Sequence, residues 1–200
     1  MTDPTPDDEL LVRARKGDER AFAALVERYE GAVAATAIGM LGTGGEADDV
    51  GQETFIRFHR SLDRFRGESS LKTYLVHIAM NLSLNALRSR RRTFLRFGGG
   101  DDDLAGAQEP RVGPADETDA AELKRIVQQA VAALSEKHRA VVVLRMFQDL
   151  STRETANMLG VPEGTVLSRL SRAMQDLQTR LGPYVRDGFL PAAPPVETTR

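Results

Sequence analysis

The sequence predicts an all-α fold: two small helical domains joined by a flexible acidic linker, the C-terminal one containing a helix-turn-helix. Three observations carry this expectation. Apolar residues recur at three- and four-residue steps on both sides of residues 95–121, strand-type alternation is absent, and between the two halves lies "GGGDDDLAGAQEPRVGPADE", rich in Gly, Pro and Asp with little to bury. The expected divisions are a first domain over 1–95, a linker over 96–118, a second domain over 119–184 and a disordered tail over 185–200, where "PAAPPVETTR" cannot continue a helix.

In the first domain the pattern predicts helices near 7–16, 18–41, 46–62 and 70–93. They are broken at Gly17-Asp18, at "GTGG" (42–45) and at "RFRGES" (64–69), with Ser69 or Ser70 as N-cap of the fourth. The second domain should hold helices near 119–133, 136–147, 152–159 and 162–181. Repeats are not visible.

The chain has 200 residues, 41% of them hydrophobic, enough for packed cores but without any apolar run near the roughly 20 residues of a membrane span. Its acidic start, "MTDPTPDDELL", has no basic-then-apolar signal pattern, so the cytoplasm is the expected address. Zero cysteines exclude disulfides and thiolate metal sites, and histidines at 59, 77 and 138 have no zinc spacing; no cofactor is expected. The net charge of −2 conceals a polarity. Arg88 to Arg96 holds five arginines and no acid, Asp101 to Glu122 holds eight acids against Arg111 alone, and Leu123 to Leu190 holds ten basic and six acidic residues.

The most specific motif is "LSTRETANMLGVPEGTVLSRLSRAMQDL", Leu150 to Leu177. A helix-turn-helix needs a small residue at the crossing, a glycine at the turn and an apolar residue locking the second helix; Ala156, Gly160 and Val166 fill these roles. Ser151 suits an N-cap of the first helix, and Pro162 suits the first turn of the second. At 100° per residue, Val166, Leu170, Ala173 and Leu177 turn inward. Thr165, Ser168, Arg172 and Gln175 turn outward with Arg169 at the flank, a face able to reach phosphates and base edges in a major groove.

On the wheel of 46–62, Ala47, Gly51, Phe55, Phe58 and Leu62 share the buried side, while Asp49, Gln52, Glu53, Arg57 and Arg60 share the other with Ile56 among them. An exposed Ile is ordinary by itself, and one ringed by acids, an amide and arginines also fits a protein-interface anchor; the wheel leaves both open. Asp48, Asp49 and Glu53 could suggest a metal-dependent nuclease or transposase. The simpler reading is that Glu46, Asp48 and Asp49 favour the positive end of the helix they begin, and no catalytic histidine or distant third carboxylate accompanies them. No catalytic residue is expected. The following helix carries Thr73, His77, Asn81 and Asn85 at four-residue steps, a polar ridge that wants either a partner or water.

Taken together, "ADDVGQETFIRFHRSLDRFRGESSLKTYLVHIAMNLSLNALRSRRR", the acidic linker and "LSTRETANMLGVPEGTVLSRLSRA" resemble a bacterial extracytoplasmic-function (group 4) sigma factor of the sigma-70 family, over residues 8–95 and 119–183. The resemblance implies a non-catalytic initiation factor that binds core RNA polymerase, recognises promoter DNA and helps melt it. The first domain then corresponds to sigma region 2 and the second to region 4. Asp49, Gln52, Glu53, Ile56, Arg57 and Arg60 match the surface for the beta-prime clamp helices, which favours the interface reading of Ile56; the beta flap is a further expected polymerase contact.

The loop Phe65, Arg66, Gly67, Glu68, Ser69 and Ser70 matches the rim of a pocket for a base flipped from the minus-10 element. Thr73, His77, Asn81, Asn85 and Arg88 would line the strand's path, with Arg90, Arg91 and Arg92 on nearby phosphates. Ser151, Thr152, Arg153, Pro162, Glu163, Thr165, Ser168, Arg169 and Arg172 match the minus-35 reader. The family also implies an anti-sigma factor, and a linker that threads through polymerase channels; on charge alone the linker is equally a soluble spacer.

The chain departs from the family pattern at several positions. Gly51 stands where an aliphatic residue is usual, Tyr74 for a frequent Trp, Val76 for Tyr and His77 for Arg. Leu167 stands for Lys or Arg, and Met174-Gln175 interrupts a usual basic pair, so promoter preference does not transfer from relatives. A helix-turn-helix regulator that acts without replacing a sigma factor is the alternative, and it would bind duplex DNA alone.

Overall fold

The computed structural model describes residues 5–96 and 119–186, so the linker and tail expectations lie outside the described residues. The N-terminal lobe comprises α1 (Asp7–Arg15), α2 (Glu19–Leu41), α3 (Gly45–Ser61), a 3₁₀ turn (Leu62–Arg64) and α4 (Leu71–Arg96). The C-terminal lobe comprises α5 (Asp119–Ala132), α6 (Glu136–Val142), a π turn (Val143–Phe147), α7 (Thr152–Leu159) and α8 (Glu163–Arg186). No strand occurs among the described residues.

The helix starts follow local chemistry. In α1, Asp7, Asp8 and Glu9 fill the first turn and Arg13 and Arg15 the last, the arrangement that a helix dipole favours. Gly17 takes φ +85°, and Asp18 then caps α2 by accepting from the amides of Arg20 (3.0 Å) and Ala21 (3.2 Å). The Ala21 amide, followed by the Arg13 side chain, holds the Asp18 carboxyl below its usual range. A clasp joins α1 to α2, in which Arg28 and the Tyr29 hydroxyl both donate to Asp7. Burial, then the Asp7 hydrogen bond, pushes the Tyr29 phenol up to about 12.

In the N-terminal lobe, α2 is the spine against which α1, α3 and α4 pack. Its core gathers Leu10, Leu11, Leu25, Val33, Phe58, Leu62, Leu71 and Leu75. Aromatic rings thicken it: Phe22 stacks on Phe58 at 5.8 Å, and Tyr74 meets Phe65 at 5.0 Å and Phe58 at 6.3 Å. The buried stripe of α3 is Ala47, Val50, Thr54 and Phe58, a correction to the expected one: Gly51 and Phe55 are only half-buried. Thr54 tolerates burial because its hydroxyl donates to the Val50 carbonyl at 2.7 Å. An added Cβ at Gly51 would meet nothing within 4 Å, so an aliphatic side chain there would point into open space.

The C-terminal lobe has two small cores. Ala130, Val131, Leu134, Val142, Ala173 and Leu177 form one, and Val141, Ala156 and Val166 the other. The helix expected over 136–147 changes pitch at Val143, where a π turn begins; Gln148 N donates to the Val143 carbonyl at 3.1 Å, five residues back.

The lobes also touch. Met40, Leu41, Val50, Val76 and Met80 form one apolar cluster with Ala140, Val143, Leu144 and Leu150. Hydrogen bonds cross the seam from Arg139 Nη1 to the Met40 carbonyl (2.6 Å), from Gln148 Nε2 to the Ala32 carbonyl (3.0 Å) and from Lys72 Nζ to the Gln148 carbonyl (3.1 Å).

Candidate functional site

Three surfaces carry the residues singled out in the sequence. The first is the outer face of α3. With Ala47, Val50, Thr54 and Phe58 inward, the 3.6-residue period turns Asp49, Gln52, Ile56, Arg57 and Arg60 to solvent, and Glu53 is half-buried. Ile56 is 44% exposed and unusual in that company. Glu53 and Arg57 pair at 2.7 Å one turn apart, which fixes both beside it. An exposed apolar side chain framed by an amide, carboxylates and guanidinia has the make-up of an interface patch, apolar at its centre and polar at its edge.

The second surface runs from the loop after the 3₁₀ turn along α4. Gly67 sits at φ +72°, a conformation that favours glycine, and turns the chain between Arg66 and Glu68, both exposed. Ser70 caps α4: its hydroxyl accepts from the Thr73 amide at 3.1 Å and meets the Thr73 hydroxyl at 2.8 Å, while Ser69 stays exposed. Phe65 does not stand on the rim. Its ring is 9% exposed and lies against Tyr74, making it the floor beneath the loop.

Beyond the cap, Leu71, Leu75, Val76, Ala79, Met80 and Ser83 face inward, which leaves His77, Asn81, Asn85 and Arg88 exposed on one line with half-buried Thr73 at its head. Arg91 and Arg92 extend that exposed line, whereas Arg90 turns aside to pair with Glu46 at the start of α3. The ridge offers amides, an imidazole and guanidinia but few hydrophobes, a lining suited to a single strand's phosphates and base edges.

Sequence reasoning missed what holds this loop. From α1, Arg15 donates to the carbonyls of Leu62 (3.1 Å) and Phe65 (2.5 Å), and Tyr74 meets the Ser61 hydroxyl at 2.9 Å. No local signal could have found Arg15, because it lies 47 and 50 residues from the groups it ties down.

The third surface is the α7–turn–α8 unit. Ser151 and Glu154 form a reciprocal capping box: the Ser151 hydroxyl accepts from the Glu154 amide at 3.2 Å, and Glu154 accepts from the Ser151 amide at 2.8 Å and hydroxyl at 2.6 Å. Hydrogen bonding from Ser151 holds the Glu154 carboxyl below its usual range. Gly160 ends α7 in the left-handed region at φ +63°, and Val161 N reaches back to the Ala156 carbonyl at 3.0 Å. With Ala156 and Val166 buried together against Val141, the crossing angle is set, and Pro162, Glu163, Ser168, Arg172 and Gln175 stand exposed. Arg153 is exposed, and Thr152, Thr165 and Arg169 are half-buried. Leu167, 55% exposed, joins the flank of this face, a position that composition alone did not assign to it.

No group of three or more metal-ligating side chains occurs among the described residues, so Asp48, Asp49 and Glu53 do not converge. Nor is any described helix long and apolar enough to cross a membrane.

Two helical lobes, one with a polar ridge and one with a helix-turn-helix, match two separate family models. Sigma-70 region 2 matches residues 25–93 and sigma-70 region 4 matches residues 124–177. Over 194 residues the chain is 34% identical to the ECF RNA polymerase sigma-E factor of Escherichia coli (strain K12), covering 93% of this chain and all of that one. The chain belongs to the sigma-70 family. More narrowly, this sigma factor falls among the extracytoplasmic-function members. It is also 34% identical over 190 residues to the RNA polymerase sigma-H factor of Pseudomonas aeruginosa, covering 90% of this chain and 96% of that one.

Two solved structures share the sigma factor's fold. One is the sigma factor RpoE in complex with the anti-sigma factor NepR from Bartonella quintana, with TM-score 0.62, 26% identity, and coverage of 80% of this chain and 96% of that one. The other is CnrH in complex with the cytosolic domain of CnrY, with TM-score 0.59, 27% identity, and coverage of 88% and 97%. Sigma factors of this family are non-enzymatic initiation factors that direct RNA polymerase to promoters.

Proposed function

We propose that this chain is a group 4 sigma factor of the cytoplasm whose α3 outer face docks on the beta-prime clamp helices of core RNA polymerase. Ile56 is the anchor, and Asp49, Gln52, Glu53, Arg57 and Arg60 form its rim. The observation that carries this reading is the exposed Ile56 opposite a fully buried stripe on the same helix. Region 2 spans 1–95 and region 4 spans 119–184, with the acidic segment 96–118 between them.

At the minus-10 element, Arg66, Gly67, Glu68, Ser69 and Ser70 form the rim of a pocket for one extruded base, with Phe65 as its floor. Unstacking a base costs a few kcal/mol, which contacts along the α4 ridge offset once the strand is open. Thr73, His77, Asn81, Asn85 and Arg88 line that path, and Arg91 and Arg92 hold phosphates. At the minus-35 element, the face of Thr165, Ser168, Arg169 and Arg172 enters the major groove. Arg153, Pro162, Glu163 and the capped turn from Ser151 and Thr152 seat it on the backbone.

An anti-sigma factor is the expected regulator, in keeping with the Bartonella quintana relative whose structure contains one. The test is in-vitro transcription with purified core enzyme: promoter-specific transcripts should appear only when this chain is added, and Ile56→Asp should abolish them. If instead the chain footprints duplex promoter DNA alone and adds no transcripts to core enzyme, it is a regulator and not a sigma factor.

A further inference from the structure

The outward face of α8 has two flanks of different chemistry. Thr165, Arg169 and Arg172 fall on one line along the helix and make the first flank cationic and rich in donors. Gly164, Leu167, Ser171 and Met174 hold the second, all exposed and none charged, with Ser168 between the two. The Ser168 hydroxyl is turned back on its own helix, donating to the Thr165 carbonyl at 3.1 Å. Leu167 is 55% exposed, more open than any other large apolar side chain among the described residues.

Nothing inside the lobe accounts for a leucine there. The same helix buries Val166, Ala173 and Leu177, and Leu170 packs with them, so the core closes without it. A helical side chain leans over the turn that precedes it, which brings Leu167 over Gly164 in the first turn of α8. A Cβ added at Gly164 would meet nothing within 4 Å, so the ground beside Leu167 is low and open. The nearest charge on that side is Glu163, an acid, which gives this flank no attraction for phosphate. Leu167 therefore stands clear in the opening turns, the part of a recognition helix that meets base edges.

A base edge in the major groove offers hydrogen-bonding groups on every base and one apolar group, the 5-methyl of thymine. Against an amino group or a carbonyl oxygen, leucine would strip away water and return no hydrogen bond. Against a methyl it removes apolar surface from water on both sides. Only one base rewards this side chain.

Resting on the sigma-factor reading and its minus-35 face, we propose that Leu167 is a specificity-determining residue that reads the 5-methyl group of one thymine in the upstream promoter element. The two flanks then divide the groove between them. Arg169 and Arg172 supply the charged contacts on one side, and Leu167 selects by apolar contact on the other.

The test removes the methyl and nothing else. Promoter fragments randomised over the upstream element are selected on core polymerase joined by this chain, and each thymine of the winning element is then replaced singly by deoxyuridine. One replacement should weaken holoenzyme binding roughly fourfold, the worth of one methyl-sized group removed from water. Leu167→Ala should bind thymine and uracil alike at that position, and alanine is the better helix former, so the lobe stays folded. Leu167→Arg should select guanine there instead. Met174→Ala, on the same flank two turns further from the start of α8, should keep the discrimination. A winning element in which uracil is accepted at every position, or a discrimination that survives Leu167→Ala, would overturn the proposal. So would loss of core-enzyme affinity in Leu167→Ala with the discrimination intact, which would mark a protein contact. The selection is repeated with the chain alone. Enrichment there but not with core enzyme refutes the sigma-factor reading, and the deoxyuridine comparison on those fragments still decides the role of Leu167; enrichment in neither arm overturns both.

Discussion

The N-terminal lobe's own core and the seam that joins it to the C-terminal lobe are built from different materials. The core stacks Phe22, Phe58, Phe65 and Tyr74 among leucines, and among the described residues none of the buried polar atoms left without a partner belongs to the N-terminal lobe. The seam packs Ala, Val, Leu and Met with little aromatic area, and Arg139 and Gln148 at its edge each leave a polar atom unbonded. Large rings with satisfied neighbours make an assembly that comes apart only by unfolding. Small aliphatics with an under-satisfied rim make one that can part and re-form.

The largest test of that contrast is Phe58→Ala. Phe58 is fully buried, so its loss should cost about 3–5 kcal/mol and lower the urea midpoint of the whole N-terminal lobe. Met80→Ala removes an equally buried side chain from the seam side of α4; it should cost about 2 kcal/mol, at the low end for such a change. If Met80→Ala matches Phe58→Ala in urea, the seam is as permanent as the core and the contrast fails. Next is Arg15→Ala, which releases the carbonyls of Leu62 and Phe65. It should leave core-polymerase binding intact and lower open-complex formation, read by permanganate reactivity of unpaired thymines, with a stability loss of about 1.5–3 kcal/mol.

The smallest effect belongs to the capping box, where Ser151→Ala should cost about 1 kcal/mol. Because the Glu154 carboxyl titrates below its ordinary value of 4.5, protons bind the unfolded chain first. Its contribution is complete above about pH 4.5 and fades as pH falls through the lower folded value, so the Ser151→Ala difference should shrink in acid. A difference that grows below pH 4 would contradict that assignment.

How much was legible in the sequence follows the same division. The α7–α8 unit is local: cap, crossing alanine, glycine and locking valine fall within sixteen residues, and periodicity then assigns inside from outside. The ridge on α4 was legible for the same reason. The family resemblance puts Phe65 on the rim with the rest of its loop, yet Tyr74 and Arg15 draw its ring inward and its carbonyl into a bond. The seam was illegible. Val76, Met80, Val143 and Leu144 read as core of their own domains, and the bonds that show otherwise join residues 76 to 116 positions apart. Gly39, near the end of α2, carries no pattern at all, since a Cβ on it would come within 2.7 Å of Val143 Cγ2, which belongs to the other lobe.

The clasp of Asp7, Arg28 and Tyr29 gives the first helix an optical reporter. The chain has three tyrosines, at 29, 74 and 184, and the phenol of Tyr29 holds its proton to about pH 12 while α1 stays docked. In an alkaline absorbance titration that ring would ionise late, and a variant lacking Asp7 would bring its transition down toward the ordinary phenol value of 10.0.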